Sequence, residues 1–353
     1  MAPIWSLLAV TALILQAIAA PYVTGNSALT SNLKDIPSVG LGTWLSDRDK
    51  VADAVEYALK AGYRHIDAAW IYKNEDKTGQ GLSAALKSTK SLSRKDIWIT
   101  SKLWNAHHRP KEATAAIQET LTNLAVDYLD LYLIHWPVAF VPHKGDELDK
   151  SVSLIDTWRT MENLVRANLT RYIGISNFAR HEVEEILEEC VICPYAHEFE
   201  THPYLQQGEF VEWHKGMGMK VIAYSPFGDT NPTYRGSHIE DDGKKKQTLL
   251  KDPFWVELAE KKNSTVAQAV LGWGLERKTV VIPKSTSKEH LAENLKAADR
   301  IVEFTFEEME EIGKRDKKTR MNNPGRAWGV DLFSDLDDPT KLEHDEVFGD
   351  GDL

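Results

Sequence analysis

Eight short apolar runs alternate with amphipathic helical segments along most of the chain, and this alternation restricts the possible folds more than any other feature. Strands that alternate with helices pair in parallel, because each helix returns the chain to the same end of the sheet. The count of eight predicts an α/β fold of the (β/α)8 TIM-barrel type. The predicted strands are Ser38–Gly42, His65–Ala68, Ile97–Ser101, Leu129–Ile134, Tyr172–Ser176, Ala196–Glu200, Lys220–Ala223 and Val280–Pro283. The predicted helical segments are Val51–Ala61, Lys111–Leu124, Leu154–Val165, Arg180–Glu189 and Val266–Leu275.

The pattern fills residues 35–322 without an internal linker, so we expect one barrel domain there. Two long polar segments interrupt it, Pro137–Ser153 after the fourth strand and Asp229–Lys251 after the seventh. Both follow carboxyl ends of strands, where barrels carry their active sites. Residues 323–353 form a C-terminal loop and an acidic tail that either folds over the barrel mouth or is partly disordered, with disorder expected for Glu343–Leu353.

Residues 1–19 form a hydrophobic segment that ends in Ala17-Ile18-Ala19, and no charged residue precedes Lys34. This pattern resembles a secretory signal peptide cleaved after Ala19, which would leave residues 20–34 as an N-terminal extension. The segment lacks a basic start, so an uncleaved membrane anchor and an extended start of a cytoplasmic enzyme are alternatives. The sequence therefore leaves the location open between the secretory pathway and the cytoplasm.

The net charge of −11 argues against a nucleic-acid partner, because phosphate backbones repel an acidic chain. Cys190 and Cys193 are the only cysteines, too few for a disulfide framework or a four-ligand zinc site, and we expect no metal site. A redox C-x-x-C pair opens a helix after a strand. This pair follows a charged helical segment and precedes Pro194, which places it at a helix end and argues against a redox role.

A doubly wound dinucleotide-binding fold is excluded by the context of its glycine motifs. Gly40-Leu41-Gly42 has Leu45 where the third glycine belongs, and the G-x-G-x-x-A run from Gly79 to Ala84 has no strand before it. No tyrosine is followed four residues later by lysine, as a short-chain dehydrogenase requires.

Short polar and aromatic motifs stand at the ends of seven predicted strands. They are Gly42-Thr43-Trp44, Asp67-Ala68-Ala69 with Tyr72 shortly after it, Ser101-Lys102-Leu103-Trp104, His135-Trp136-Pro137, Ser176-Asn177-Phe178, Ala223-Tyr224-Ser225 and Pro283-Lys284-Ser285. In this order, from Ser38 to Met321, the chain resembles the aldo-keto reductase family, of the aldose and aldehyde reductase type. The resemblance implies a monomeric enzyme that reduces a small-molecule aldehyde or ketone with a nicotinamide cofactor.

The resemblance also implies a catalytic tetrad. Its members would be Asp67, Tyr72, Lys102 and His135. Tyr72 would donate a proton to the carbonyl oxygen, and a neighbouring ammonium group would make its phenol a stronger acid. Asp67 would keep Lys102 charged, and His135 would orient the carbonyl. Without the resemblance, Asp67 and Lys102 would be read as a structural ion pair.

For the cofactor, the resemblance implies NADPH. Its carboxamide would contact Ser176, Asn177 and Glu198, and its ring would stack on Tyr224 beside Ser225. The 2′-phosphate and adenine contacts would come from Lys284, Ser285, His290, Glu293 and Asn294. Two positions depart from the family pattern: Glu198 replaces the usual glutamine and His290 the usual arginine. Imidazole binds phosphate more weakly than guanidinium does, so NADH use is also possible.

Trp44, Trp104 and Trp136 would line the substrate pocket and favour flat or apolar carbonyl compounds. Two other functions fit the same motifs. One is a channel-associated regulatory subunit that senses the cofactor with little turnover, for which a membrane-associated N-terminus would be suitable. The other is a dedicated reductase of a biosynthetic pathway.

Overall fold

The computed structural model describes residues 35–228 and 248–336. Its strands form one parallel sheet in which each strand pairs with its neighbours in chain order, from β1 to β8. The strands are β1 Leu41–Gly42, β2 His65–Asp67, β3 Trp98–Leu103, β4 Leu129–Ile134, β5 Thr170–Ser176, β6 Ala196–Glu200, β7 Lys220–Tyr224 and β8 Val280–Val281. Every predicted strand is found, and β4 and β6 have the predicted bounds.

The two ends of the sheet approach each other. Isolated parallel bridges join Val39 to Val281 and Gly42 to Lys284, and the Gly40 amide donates to the Val281 carbonyl at 2.9 Å. A Cβ atom at Gly42 would lie 2.9 Å from the Ile282 carbonyl oxygen, so only glycine allows this close approach. The strands β1 and β8 are shorter than predicted because their outer residues pair only through such bridges.

Helices follow most strands and cover the outside of the sheet. They are α1 Arg48–Ala61, α2 Glu75–Ser88, α3 Pro110–Leu124, α4 Leu154–Arg166, α5 Arg180–Glu189, α6 Gly208–Gly216, α7 Pro253–Lys261, α8 Val266–Glu276, α9 Lys288–Asp299, α10 Phe306–Gly313 and α11 Gly325–Trp328. In α1 the buried side chains of Val51, Val55, Ala58 and Leu59 recur at helical spacing and pack in the main core. Every predicted helical segment coincides with one of these helices.

Alternate residues of a strand face opposite sides of the sheet, and β4 shows how this divides the core. Tyr132 and Ile134 pack in the main cluster with the helices, whereas Leu131 and Leu133 pack with Trp98 in a second cluster. The second cluster fills one end of the curled sheet and leaves the carboxyl ends of the strands for polar side chains.

The long segment after β4 is held by specific contacts. Phe140 and Leu148 form an antiparallel bridge, and Arg109 forms an ion pair with Asp149 at 2.6 Å. For the other predicted loop, residues 229–247 lie outside the described residues, as do residues 1–34 and 337–353. None of the described helices is long and apolar enough to span a bilayer.

Cys190 and Cys193 form a disulfide with each other directly after α5. The predicted position at a helix end is confirmed, while the bond itself was not predicted. The loop between them packs on α4, because Glu162 accepts hydrogen bonds from the amides of Val191 and Ile192 at 2.7 and 2.9 Å.

Candidate active site

The four residues expected to form the tetrad come together at the carboxyl ends of β2, β3 and β4. Lys102 Nζ lies 2.6 Å from Asp67 Oδ1, 3.2 Å from the Ala68 carbonyl oxygen and 3.3 Å from the Tyr72 hydroxyl. The His135 ring centroid lies 5.8 Å from that of Tyr72. Asp67 and Lys102 end neighbouring parallel strands, whereas Tyr72 reaches the site from the 3-10 turn Trp70–Tyr72.

Burial governs the proton affinities of this cluster. It raises the pKa of Tyr72 above its ordinary value, and the positive charge of Lys102 opposes that rise. Burial also acts to lower the pKa of Lys102, but Asp67 and then Glu198 outweigh it and hold that pKa well above its usual range. Burial and the Lys102 charge keep the pKa of His135 well below its ordinary value. The cluster therefore holds a charged lysine, a neutral imidazole and a protonated phenol.

Glu198 belongs to this cluster too. Its Oε1 lies 3.2 Å from Lys102 Nζ, and the residue is 2% exposed. Sequence reasoning placed Glu198 only beside the cofactor and missed its contact with Lys102. β6 is not a neighbour of β3, so no local pattern links the two residues.

Ser176 and Asn177, at the end of β5, present groups that complement a carboxamide. Asn177 donates from Nδ2 to the His135 carbonyl and to Ser176 Oγ, both at 3.0 Å. Its Oδ1 accepts from the Tyr224 hydroxyl at 2.7 Å. The Ser176 hydroxyl proton and a second lone pair of Asn177 Oδ1 are thus suited to a carboxamide's oxygen and amino group. Ser225, next to Tyr224, has a left-handed backbone with φ 46°.

The residues expected at the 2′-phosphate also lie together, between β8 and the first turn of α9. Lys284 is exposed, and Ser285 is largely buried and accepts from the Ser287 amide at 3.1 Å. Partial desolvation of the Lys284 ammonium group lowers its pKa from the ordinary value. His290 is exposed in the first turn of α9, whose amino end favours anions. Further along α9, Glu293 is half-buried and Asn294 is buried.

The three tryptophans expected in the substrate pocket surround the tetrad. Trp44 lies 6.5 Å from Tyr72, and Trp104 and Trp136 lie 5.4 and 6.4 Å from His135, measured between ring centroids. They form an aromatic wall beside the Tyr72 hydroxyl.

Loops add further aromatic residues to this wall, which sequence reasoning did not assign to the substrate pocket. Trp328 of α11 lies 5.2 Å from both Trp136 and Phe140, and 6.1 Å from Trp104, between ring centroids. Phe333 contacts Trp136 at 6.2 Å. The described part of the tail, as far as residue 336, therefore lies against the mouth of the curled sheet. The aromatic residues in an otherwise polar tail were the available signal.

Hydrogen bonds hold the start of the tail in place. The amides of Met321 and Asn322 donate to the buried Glu200 carboxylate, at 2.9 and 2.8 Å for the shorter contacts. Asn322 Nδ2 also donates to the Tyr224 hydroxyl at 3.3 Å. The tail is thus connected to the same tyrosine that orients Asn177. Across residues 35–228 and 248–336, no group of three or more potential metal ligands occurs.

Comparison with known proteins places this geometry in context. The model of the Aldo/keto reductase family matches residues 38–317. Aldo-keto reductase family 1 member A1 of Xenopus tropicalis is 39% identical over 295 residues, which cover 81% of this chain and 87% of that protein. An uncharacterized oxidoreductase of Schizosaccharomyces pombe is 40% identical over 299 residues, with the same coverage of 81% and 87%.

Two solved structures resemble this fold over a similar part of the chain. The aldose reductase from Schistosoma japonicum superposes with a TM-score of 0.76 at 37% identity, covering 86% of this chain and 96% of that one. An aldo-keto reductase from Bombyx mori, solved in complex with NADP, gives a TM-score of 0.77 at 32% identity and covers 88% and 98% of the two chains.

Proposed function

The chain belongs to the aldo/keto reductase family and is an NADP-dependent oxidoreductase, and we propose that it reduces an aldehyde or ketone to an alcohol with Tyr72 as the general acid. The observation that carries this proposal is the contact series Asp67–Lys102–Tyr72, which lies between the aromatic wall and the carboxamide-complementary pair Ser176–Asn177. A complete (β/α)8 barrel, supported by the bridges between the two ends of the sheet, is part of the proposal.

NADPH, when bound, supplies a hydride for the carbonyl carbon. The residues of this chain supply the proton, stabilise the charge and orient the substrate. Negative charge develops on the carbonyl oxygen, and the Tyr72 hydroxyl donates its proton there. Lys102 stabilises the resulting phenolate, at the 3.3 Å distance seen between the two groups. Asp67 holds the ammonium in place, and the neutral His135 is suited to orient the carbonyl oxygen.

Ser176, Asn177 and Tyr224 would hold the nicotinamide, with Ser225 next to the ring. The 2′-phosphate would lie between Lys284, Ser285 and His290, and the adenine near Glu293 and Asn294. A lysine beside a helix amino end supports a preference for NADPH, while an imidazole in place of a guanidinium supports some NADH use. The aromatic wall supports flat, apolar carbonyl substrates, with Trp328 as an added member.

The test is a panel of aromatic and aliphatic carbonyl compounds with the purified protein, run once with NADPH and once with NADH. Steady consumption of NADPH with aromatic aldehydes is expected. Tight cofactor binding without turnover on any compound would instead favour a cofactor-sensing subunit. Turnover confined to one compound class would favour a dedicated biosynthetic reductase.

We also propose that the protein enters the secretory pathway, with residues 1–19 as the signal peptide. Persistent disulfides are typical of oxidising compartments, and Cys190 and Cys193 are disulfide-bonded here. Two glycosylation sequons begin at Asn168 and Asn263, both of which are exposed.

A further inference from the structure

Glu198 is a buried acid that the reduction chemistry described above does not use. It lies in β6 with Oε1 3.2 Å from Lys102 Nζ. Asp67 Oδ1 lies 2.6 Å from the same nitrogen. Two carboxyl groups therefore contact one buried ammonium group.

Two ionised carboxylates beside one lysine would leave an unbalanced negative charge in a buried site, which is costly. Asp67 Oδ2 and Glu198 Oε2 are both buried and lack a hydrogen-bond partner within the described residues. Both side chains contact the same Lys102 nitrogen, so the two carboxyl groups are neighbours. A single proton held by the pair removes the excess charge. Asp67, with the shorter contact to Lys102, is the carboxylate of the pair, and Glu198 is the neutral acid.

We propose that Glu198 is a positioning residue that keeps one proton, shared with Asp67, and that loss of this proton moves the site from carbonyl reduction toward retention of NADP+. The inference rests on the proposed function. While Glu198 is neutral, Asp67 alone balances Lys102, and the ammonium group can stabilise the Tyr72 phenolate. Once Glu198 ionises, the cluster gains a negative charge and Tyr72 becomes a weaker acid.

The same negative charge on Glu198 would also affect cofactor binding. Glu198 pairs with Ser176 across the sheet, and its carbonyl oxygen accepts from the Asn177 amide at 3.0 Å. A carboxylate next to this pair would favour the cationic nicotinamide of NADP+ over the neutral ring of NADPH. Proton loss from one residue thus weakens the acid and strengthens the binding of the oxidised cofactor.

The titratable groups that face Glu198 come from four elements. They are Asp67 of β2, Tyr72 of the 3-10 turn, Lys102 of β3 and Tyr224 of β7. Of these four, only Lys102 favours the ionised form of Glu198. Burial and the Asp67 carboxylate outweigh it and raise the pKa of Glu198 well above its ordinary value.

The first measurement is the pH profile of kcat/KM for reduction. In the wild type we expect kcat/KM to fall by at least about tenfold at alkaline pH. A rise of one unit in the pKa of Tyr72 would have this effect. Glu198→Gln keeps the size of the side chain and removes the ionisation, so its profile should lose that fall.

Glu75→Gln is the matched control for this profile. Glu75 is buried outside the site, accepts from Ser101 Oγ at 2.6 Å, and has a pKa raised to about 7 by burial. The same chemical change there should leave the wild-type profile intact.

The second measurement needs no turnover. We expect the ratio of the Kd for NADP+ to that for NADPH to fall with rising pH in the wild type and to stay constant in Glu198→Gln. Difference infrared spectra at slightly alkaline pH should show a protonated carboxyl band that Glu198→Gln removes and Glu75→Gln keeps.

A pH-independent Kd ratio in the wild type, or a carboxyl band that survives Glu198→Gln, would overturn the inference. Should Glu198→Gln fail to fold, the wild-type ratio still decides the matter. If the wild type reduces no carbonyl compound but its ratio of Kd values for NADP+ and NADPH depends on pH, the proposed function is wrong. The inference of a shared proton would still hold.

Discussion

His181 Nδ1 lies 3.0 Å from a carboxylate oxygen of Asp335, and this contact joins the first turn of α5 to the tail across 154 residues of sequence. Asp335 also accepts from the amides of Arg180 and His181, at 3.2 and 2.9 Å. One tail carboxylate thus caps a helix and pairs with a histidine. The tail segment that carries Trp328 lies between this contact and the Glu200 contacts at the other end.

This contact makes attachment of the tail depend on pH. The hydrogen bond that the His181 ring donates to Asp335 raises the pKa of His181 above its ordinary value. Burial opposes ionisation of Asp335, but hydrogen bonds from His181 outweigh it and lower the pKa of Asp335. The stabilisation from His181 is therefore present below its ordinary pKa and is lost as pH rises through the raised value. The Asp335 contribution is lost as pH falls through the lowered value.

Hydrogen exchange of the amides in residues 325–336 measures this dependence. Protection should be greatest between the two pKa values and decline as His181 loses its proton. Asp335→Asn should reduce the decline, and His181→Gln should remove it while leaving the backbone contacts to Asp335 in place. Protection that stays constant across neutral pH would contradict the prediction.

Tyr72→Phe removes the proposed proton donor and should lower carbonyl reduction by at least about a hundredfold, the usual scale for loss of a general acid. Cofactor binding should stay nearly unchanged, because the phenol contacts Lys102 rather than the groups assigned to the cofactor. Tyr132→Phe is the control: that hydroxyl is buried away from the cluster and has no partner among the described residues. Near-wild-type kcat in Tyr72→Phe would show that the acid is misassigned.

His290→Arg should widen the preference for NADPH over NADH. A guanidinium group adds charged hydrogen bonds to a phosphate, each worth about 1.5–3 kcal/mol. His290 is exposed, so the longer side chain has room. The Kd for NADH serves as the internal control, since that cofactor lacks the 2′-phosphate. Equal wild-type Kd values for the two cofactors would contradict the assigned phosphate site.

N-terminal sequencing and glycan mapping of protein from its native host test the proposed location. We expect a mature chain that begins near Ala20, with glycans on Asn168 or Asn263 and no free thiol at Cys190 or Cys193. An intact start at Met1 or Ala2 with both asparagines unmodified would exclude cleavage and passage through the glycosylation machinery.

The strand and helix pattern was determined by the sequence alone, because each element is marked by a local period of apolar residues. Motifs at strand ends were equally readable, since parallel strands bring their carboxyl ends to one edge whatever their separation along the chain. Asp67, Lys102 and His135 stand at the ends of three successive predicted strands, and the resemblance to the family grouped them as catalytic residues from the sequence.

Only the tertiary structure decided which side chains meet across the sheet. The contact between Glu198 and Lys102 joins β6 to β3, which are not paired, and depends on how the sheet curls. The tail position of Trp328 depends on two distant anchors, Glu200 and His181. Such contacts leave no period in the sequence, because the chain between the partners is free to vary. Their energy comes from burial and charge pairing that exist only after the strands have assembled.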